Sequence, residues 1–147
     1  MERRHIVYLP IKLERAGKIW LVEIPELDLM TQGKTKKDAL SMISDAVESL
    51  VNNREFKTTV VKLSHSDSYY LTTSDSRALM ALMLKRQREM NHMSIGDVST
   101  TLRYSSRNSY AQFESGKHAH TIEKFDELIK SINPSSCFVV QILETSH

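Results

Sequence analysis

The sequence predicts an α+β protein of two small domains: a β-β-β-α-β unit over residues 1–66, a connecting segment over 67–75, and an all-helical domain with a terminal strand over 76–147. Three observations predict it. Short alternating apolar runs fill the first quarter of the chain, one long amphipathic stretch of helical period follows, and beyond a segment rich in Ser, Thr and Asp four more helical stretches come in succession. With 40% apolar residues among 147, the chain can pack a core rather than remain disordered.

Residues 6–13 alternate loosely, and residues 19–24 set Trp20, Val22 and Ile24 on one side, so both read as strands. Arg15-Ala16-Gly17-Lys18 between them supplies a glycine-containing turn, which predicts an antiparallel hairpin, and Pro25 stops the second strand. A third short strand is expected over 29–32. Thr35 with Asp38 three residues on is a helix-capping spacing; Ala39, Leu40, Ile43, Ala46, Val47, Leu50 and Val51 then recur with helical period. Residues 58–63 are β-prone and can complete the sheet on which that helix packs. Tyr69-Tyr70-Leu71 is a further short strand candidate inside the connecting segment.

Helix is expected over 76–90, with Leu79, Leu82, Met83 and Met90 on one face and Lys85, Arg86 and Arg88 toward the end that suits basic residues. Three short helices should follow, over 94–102, 106–114 and 121–132, with Ser94, Ser105 or Ser106, and Thr121 as caps. Ile122, Phe125, Leu128, Ile129 and Ile132 form the apolar face of the last. Asn133-Pro134 ends it, and residues 137–143 read as a final strand.

Bulk properties narrow the function. No apolar stretch approaches the roughly 20 residues that span a bilayer, and the N-terminus lacks a secretory pattern, so a cytoplasmic protein is expected. Its single cysteine, Cys137, excludes an internal disulfide framework and is expected to be a buried structural thiol. Residues 1–76 balance acidic and basic side chains, whereas residues 77–130 carry nine Lys/Arg against six Asp/Glu, a mild bias compatible with a surface facing phosphates.

The second and third helices of the last domain are joined by about three residues, Arg103-Tyr104-Ser105, which makes them a helix-turn-helix candidate. If Tyr110 and Phe113 are buried, Arg107, Asn108, Ala111 and Gln112 point outward. Those residue types read base edges: Arg pairs with guanine, Asn and Gln with adenine, and an alanine methyl touches thymine. Ser105, Ser106, Ser109, Lys117, His118 and His120 can donate to phosphates.

The run Leu102-Arg103-Tyr104-Ser105-Ser106-Arg107-Asn108-Ser109-Tyr110-Ala111-Gln112-Phe113-Glu114-Ser115-Gly116-Lys117 resembles the second half of a lambda-repressor-like helix-turn-helix, in the version carried at the C-terminus of HicB antitoxins. Trp20-Leu21-Val22-Glu23-Ile24-Pro25-Glu26-Leu27, Thr31-Gln32-Gly33-Lys34-Thr35 and Asp38-Ala39-Leu40 resemble that family's N-terminal domain. The resemblance implies a partial ribonuclease-H-like first domain that neutralises a small basic HicA-type mRNA-cleaving toxin, and a second domain that represses the shared operon. The implied DNA-binding residues are Ser105, Ser106, Arg107, Asn108, Ala111, Gln112 and Lys117. Two positions depart from the pattern: Arg103 stands where a glycine commonly takes positive φ, and Ser99 replaces a packed alanine.

Catalysis is not expected. Ribonuclease-H chemistry needs carboxylates converging on divalent ions; the first domain offers Glu14, Glu23, Glu26, Asp28, Asp38 and Asp45, but its best core strand, over 19–24, shows no inward acidic residue at a clear active-site position. The six histidines show no ligand spacing, so neither metal nor cofactor is expected. Helix-turn-helix readers engage paired half-sites, which predicts a homodimer or higher homo-oligomer, with residues 137–143 a candidate for pairing across a two-fold axis. The alternatives are a stand-alone helix-turn-helix regulator whose first domain binds another ligand or partner, and a metal-dependent nuclease.

Overall fold

The computed structural model describes residues 5–104 and 106–144. The chain is α+β and divides into two compact units, one running to Ser76 and including residues 142–144, the other spanning Arg77–Gln141. Among the described residues no helix is long and apolar enough to cross a membrane.

The first unit is an antiparallel sheet carrying one helix. Its strands are β1 (Tyr8–Ala16), β2 (Ile19–Ile24), β3 (Leu29–Gly33), β4 (Thr58–Lys62) and β5 (Tyr69–Thr73), in the order β3-β2-β1-β5-β4, and helix α1 (Lys36–Leu50) connects β3 to β4. The hairpin between β1 and β2 is tighter than expected, because pairing continues to Ala16 opposite Ile19 and leaves a loop of Gly17 and Lys18, with Gly17 at φ +63°. β1 changes neighbours along its length: residues 8–11 pair with β5 and residues 12–16 with β2. Pro10, which cannot donate to a ladder, sits in the half bonded to β5 alone.

Residues 67–75 are more than a connection. Tyr69–Thr73 inserts between β1 and β4. Its threonines are buried without loss, since Thr72 Oγ1 donates to the Val7 carbonyl and Thr73 Oγ1 to that of Lys57, each at 2.7 Å. Thr35 caps α1 by accepting from the Asp38 amide, as its spacing predicts. Leu9, Ile11, Val22, Ile24, Leu27, Ala39, Ile43, Val47, Phe56 and Leu71 make the buried core. A Cβ at Gly33 would collide with the backbone of Asp38 and Ala39, so β3 and the first turn of α1 meet backbone to backbone only because that residue is glycine.

The second unit holds α2 (Ser76–Met90), α3 (Ile95–Thr101), α4 (Arg107–Ala111) and α5 (Ile122–Ile132). Leu84, Val98, Tyr110, Phe125, Leu128 and Ile132, one or more from each helix, form its core. Two residues expected on apolar faces are exposed instead: Ile122, which opens α5, at 60%, and Met90, which closes α2, at 39%. Their terminal positions carry the side chains past the packed turns.

Residues 137–144 form no strand, contrary to expectation. A strand needs a hydrogen-bonding neighbour, and the backbone of residues 137–143 bonds to no described residue. Cys137 is correspondingly exposed rather than a buried thiol.

Candidate nucleic-acid interface

The candidate interface is built on α3 and α4. Ser94 and Asp97 close a reciprocal box at the start of α3: the Ser94 amide donates to Asp97 Oδ2 at 2.8 Å, and the Asp97 amide donates to Ser94 Oγ at 3.0 Å. The bond from the Ser94 amide first, and the Ser94 side chain besides, hold the Asp97 carboxyl below its ordinary range. At the other end the Arg103 amide donates to the Thr100 carbonyl at 3.0 Å and the Tyr104 amide to that of Ser99 at 2.9 Å. This is the pair of bonds of a Schellman cap, and it forces Arg103 to φ +58°, where glycine is usual. The departure noted in the sequence is therefore accommodated by an arginine in the left-handed region. Ser99 is 4% exposed, and its hydroxyl has no hydrogen-bond partner among the described residues.

Ser106 caps α4 by accepting from the Asn108 amide at 3.1 Å. The helix is shorter than expected: after Ala111 it tightens into a 3-10 turn over Gln112–Glu114. Tyr110 is fully buried and Phe113 partly so, which leaves Arg107, Asn108 and Gln112 exposed and Ala111 half-buried. Arg107 and Ala111, and Asn108 and Gln112, are four residues apart, so the four share one helical face. The arginine side chain lies against α3, because a Cβ on Gly96 would sit 3.6 Å from its Nε. Ser106 and Lys117 are exposed, as is Arg103; Ser105 lies outside the described residues. Gly116 takes φ +78° in the bend that follows, and the Lys117 amide donates to Ser115 Oγ.

Not every expected phosphate contact is free. His118 is exposed and Ser109 half-buried, but His120 is enclosed between Phe113 and Phe125, with ring centroids 5.8 and 6.0 Å away. Its Nε2–H donates to the Phe113 carbonyl at 3.1 Å, and Nδ1 is buried without a partner among the described residues. Burial first, and the charge of His118 besides, lowers its pKa against the opposing effect of the Phe113 bond.

Sequence reasoning missed the ion pair that sets the end of α4. Arg88 of α2 donates from Nε to Glu114 Oε2 at 2.8 Å and from Nη2 to Oε1 at 3.0 Å, and from Nη1 to the Met93 carbonyl at 2.9 Å. The side chains are only 12% and 7% exposed. Arg88 is thus a clamp rather than a solvated complement to the helix dipole, and its hydrogen bonds to Glu114 raise its pKa further. Desolvation, then the Glu114 carboxylate, pushes the buried Tyr110 phenol well above its usual value. The signal available in the sequence was weak, since Arg88 and Glu114 stand 26 positions apart.

In the first unit, Lys36, Lys37, Leu40, Ser41, Ser44, Asp45, Val60, Lys62 and Tyr69 line an open groove of about 580 Å³ beside α1. Lys36 Nζ lies 5.2 Å from the centre of the Trp20 ring and 5.9 Å from that of Tyr69. Ser44 and Thr58 hydroxyls share a hydrogen bond, and the Thr58 amide and hydroxyl each donate to Glu48 Oε2 at 2.8 Å. Burial alone would raise the Glu48 carboxyl, but the Thr58 bonds and Lys57 hold it below its usual range. Among the described residues no three His, Cys, Asp or Glu side chains converge into a metal-holding group. In comparison with known proteins, no family model matches the chain and no curated protein matches it.

Proposed function

We propose that this chain is a cytoplasmic antitoxin that represses its own operon, acting by binding rather than catalysis. In this reading α3, the Arg103 turn and α4 are a helix-turn-helix, and α4 enters the major groove of operator DNA. The observation that carries it is the face on which Arg107, Asn108 and Gln112 are exposed beside the half-buried Ala111, while the opposite face of α4 buries Tyr110. Arg107 is suited to a guanine edge, Asn108 and Gln112 to adenine, and Ala111 to a thymine methyl. Ser105, Ser106 and Lys117 are assigned to phosphates, which fix register and not sequence.

The first unit, in the same reading, is a partial ribonuclease-H-like domain that binds and masks a small basic HicA-type ribonuclease. What supports this half is the resemblance of residues 20–40 to the family's N-terminal pattern, together with a five-stranded sheet bearing a single helix.

Each half has its own test. Binding to the DNA upstream of the chain's own gene, followed by fluorescence anisotropy, should weaken by about 1 to 3 kcal/mol in Arg107→Ala. In Lys117→Ala it should weaken alike on all sequences, with a shallower salt dependence. Expressed tagged with its flanking genes, the protein should retain a small basic protein in stoichiometric amount; retention of none would refute the antitoxin half and leave a stand-alone regulator.

A further inference from the structure

Helix α1 and the edge strand β4 flank the open groove of the first unit, and its two ends differ in charge. Lys36 Nζ lies 5.9 Å from the centre of the Tyr69 ring, and Tyr69 is the register partner of Lys62, so Lys36, Lys37 and Lys62 gather at one end. At the other end Ser44 bonds to Thr58, and the carboxylates of Asp45 and Glu48 stand nearby. Lys36 and Lys37 occupy the first turn of α1, where the helix dipole favours acidic side chains, and neither has an ion-pair partner among the described residues. Asp38, the acidic residue of that turn, does not line the groove. Lys62 is paired with the exposed Asp67 at 3.2 Å.

The backbone of β4 is open beside the basic end. Thr58 turns its amide away from β5, to Glu48 Oε2, whereas Leu63 turns its amide toward β5, to the Ser68 carbonyl at 2.9 Å. Bonding direction alternates along an antiparallel strand, so Val60 and Lys62 point both N–H and C=O away from β5. On that side neither bonds to a described residue. The opening is bounded, because the Thr58 amide is taken by Glu48 and the Ser64 amide donates to the Glu144 carbonyl at 3.4 Å.

We propose that this groove binds an extended acidic segment of a partner protein, which adds to β4 as an antiparallel strand over Val60 and Lys62. Opposed residues of an antiparallel pair point to the same face, so the partner residues opposite Lys62 and Val60 both enter the groove, two positions apart. The first meets Lys62, with Lys36 and Lys37 at the same end, and is acidic. The second meets Val60 and Leu40 and is apolar. Read from its N-terminus, the segment is therefore acidic, any residue, apolar. Charge complementarity selects an anionic partner, and the open backbone selects its class: a protein segment uses the N–H and C=O groups of β4, whereas a nucleic acid uses the lysines alone. The same charge disfavours the small basic protein proposed above, so this is a second partner and the two proposals fail separately.

The experiment is selection from a random peptide library, displayed on phage, against the full chain, followed by fluorescence anisotropy with a labelled copy of the enriched peptide. Enriched peptides should share the acidic, any, apolar spacing, and the double variant Lys36→Gln, Lys37→Gln should bind them at least about tenfold more weakly. Val60→Pro removes an amide that faces away from β5, so it spares the existing ladder; it should weaken binding by a similar factor with an unchanged circular dichroism spectrum. The bound peptide should slow hydrogen exchange at the Val60 and Lys62 amides and leave those of Thr59 and Val61 unchanged. No enrichment, binding unmoved by the lysine substitutions, or unprotected Val60 and Lys62 amides overturns the proposal. Tighter binding of a single-stranded oligouridylate than of any enriched peptide, lost in the same lysine variant, assigns the groove to nucleic acid and overturns it as well.

Discussion

Arg103 and Ser99 each carry a cost within a single residue. Arg103 is held at φ +58° by the two amide bonds that close α3, a conformation costing a non-glycine residue about 1 kcal/mol. The Ser99 hydroxyl is buried with no partner among the described residues. Arg103→Gly and Ser99→Ala are therefore both expected to stabilise the protein, each by on the order of 1 kcal/mol, as higher urea midpoints at unchanged slope. Both positions were legible as departures from the helix-turn-helix pattern that the sequence resembles, Arg103 in place of a glycine and Ser99 in place of a packed alanine. His120 was not legible: nothing in its neighbours in sequence says that Phe113 and Phe125 close over it. Its folded pKa lies below the unfolded value of about 6.5, so the unfolded chain takes up the proton first. The contribution of the neutral imidazole is complete above about pH 6.5 and is lost as pH falls toward the folded value. Thermal midpoints measured from pH 7.5 down to 5 should fall, and the slope should flatten in His120→Leu; equal slopes would show that His120 does not set this dependence.

Between elements, the Arg88 to Glu114 pair decides how the end of α4 sits against α2. Truncating one partner leaves a buried charge unpaired, at a cost of about 3 to 5 kcal/mol, whereas replacing both with apolar residues removes the desolvation as well as the attraction. Arg88→Met and Glu114→Leu should each destabilise strongly, and the double variant less than either, in a double-mutant cycle followed by urea unfolding. Additive losses would mean that the two side chains do not act as a pair. Element positions were read well wherever periodicity and caps agreed, as at α1, where Thr35 and Asp38 precede a clean apolar stripe. They were read poorly where a partner distant in sequence decides the outcome. Tyr69–Thr73 becomes a strand within the sheet because β1 and β4 both offer it an edge, and residues 137–143 remain irregular because nothing described offers them one. Strand propensity is the same kind of signal in both cases, and pairing is what separates them.

At the scale of the whole chain, the α+β class follows from the order of strand and helix periods, and the two compact units follow from where those periods change. The candidate interface was legible as a helical face, since burial of Tyr110 alone orients Arg107, Asn108 and Gln112 outward. The clamp from Arg88 that supports this face was not, because it belongs to tertiary packing. A partner surface on the first unit is less legible still, as a sheet and one helix accommodate many partners. The central claim is that α4 reads DNA sequence, and selection of bound duplexes from a randomised pool tests it most directly. The wild type should enrich a two-fold symmetric site, and Arg107→Ala should enrich the same site with one base preference relaxed in each half. No enrichment by the wild type, or an identical site from both proteins, would contradict the assignment of α4 as the reading helix.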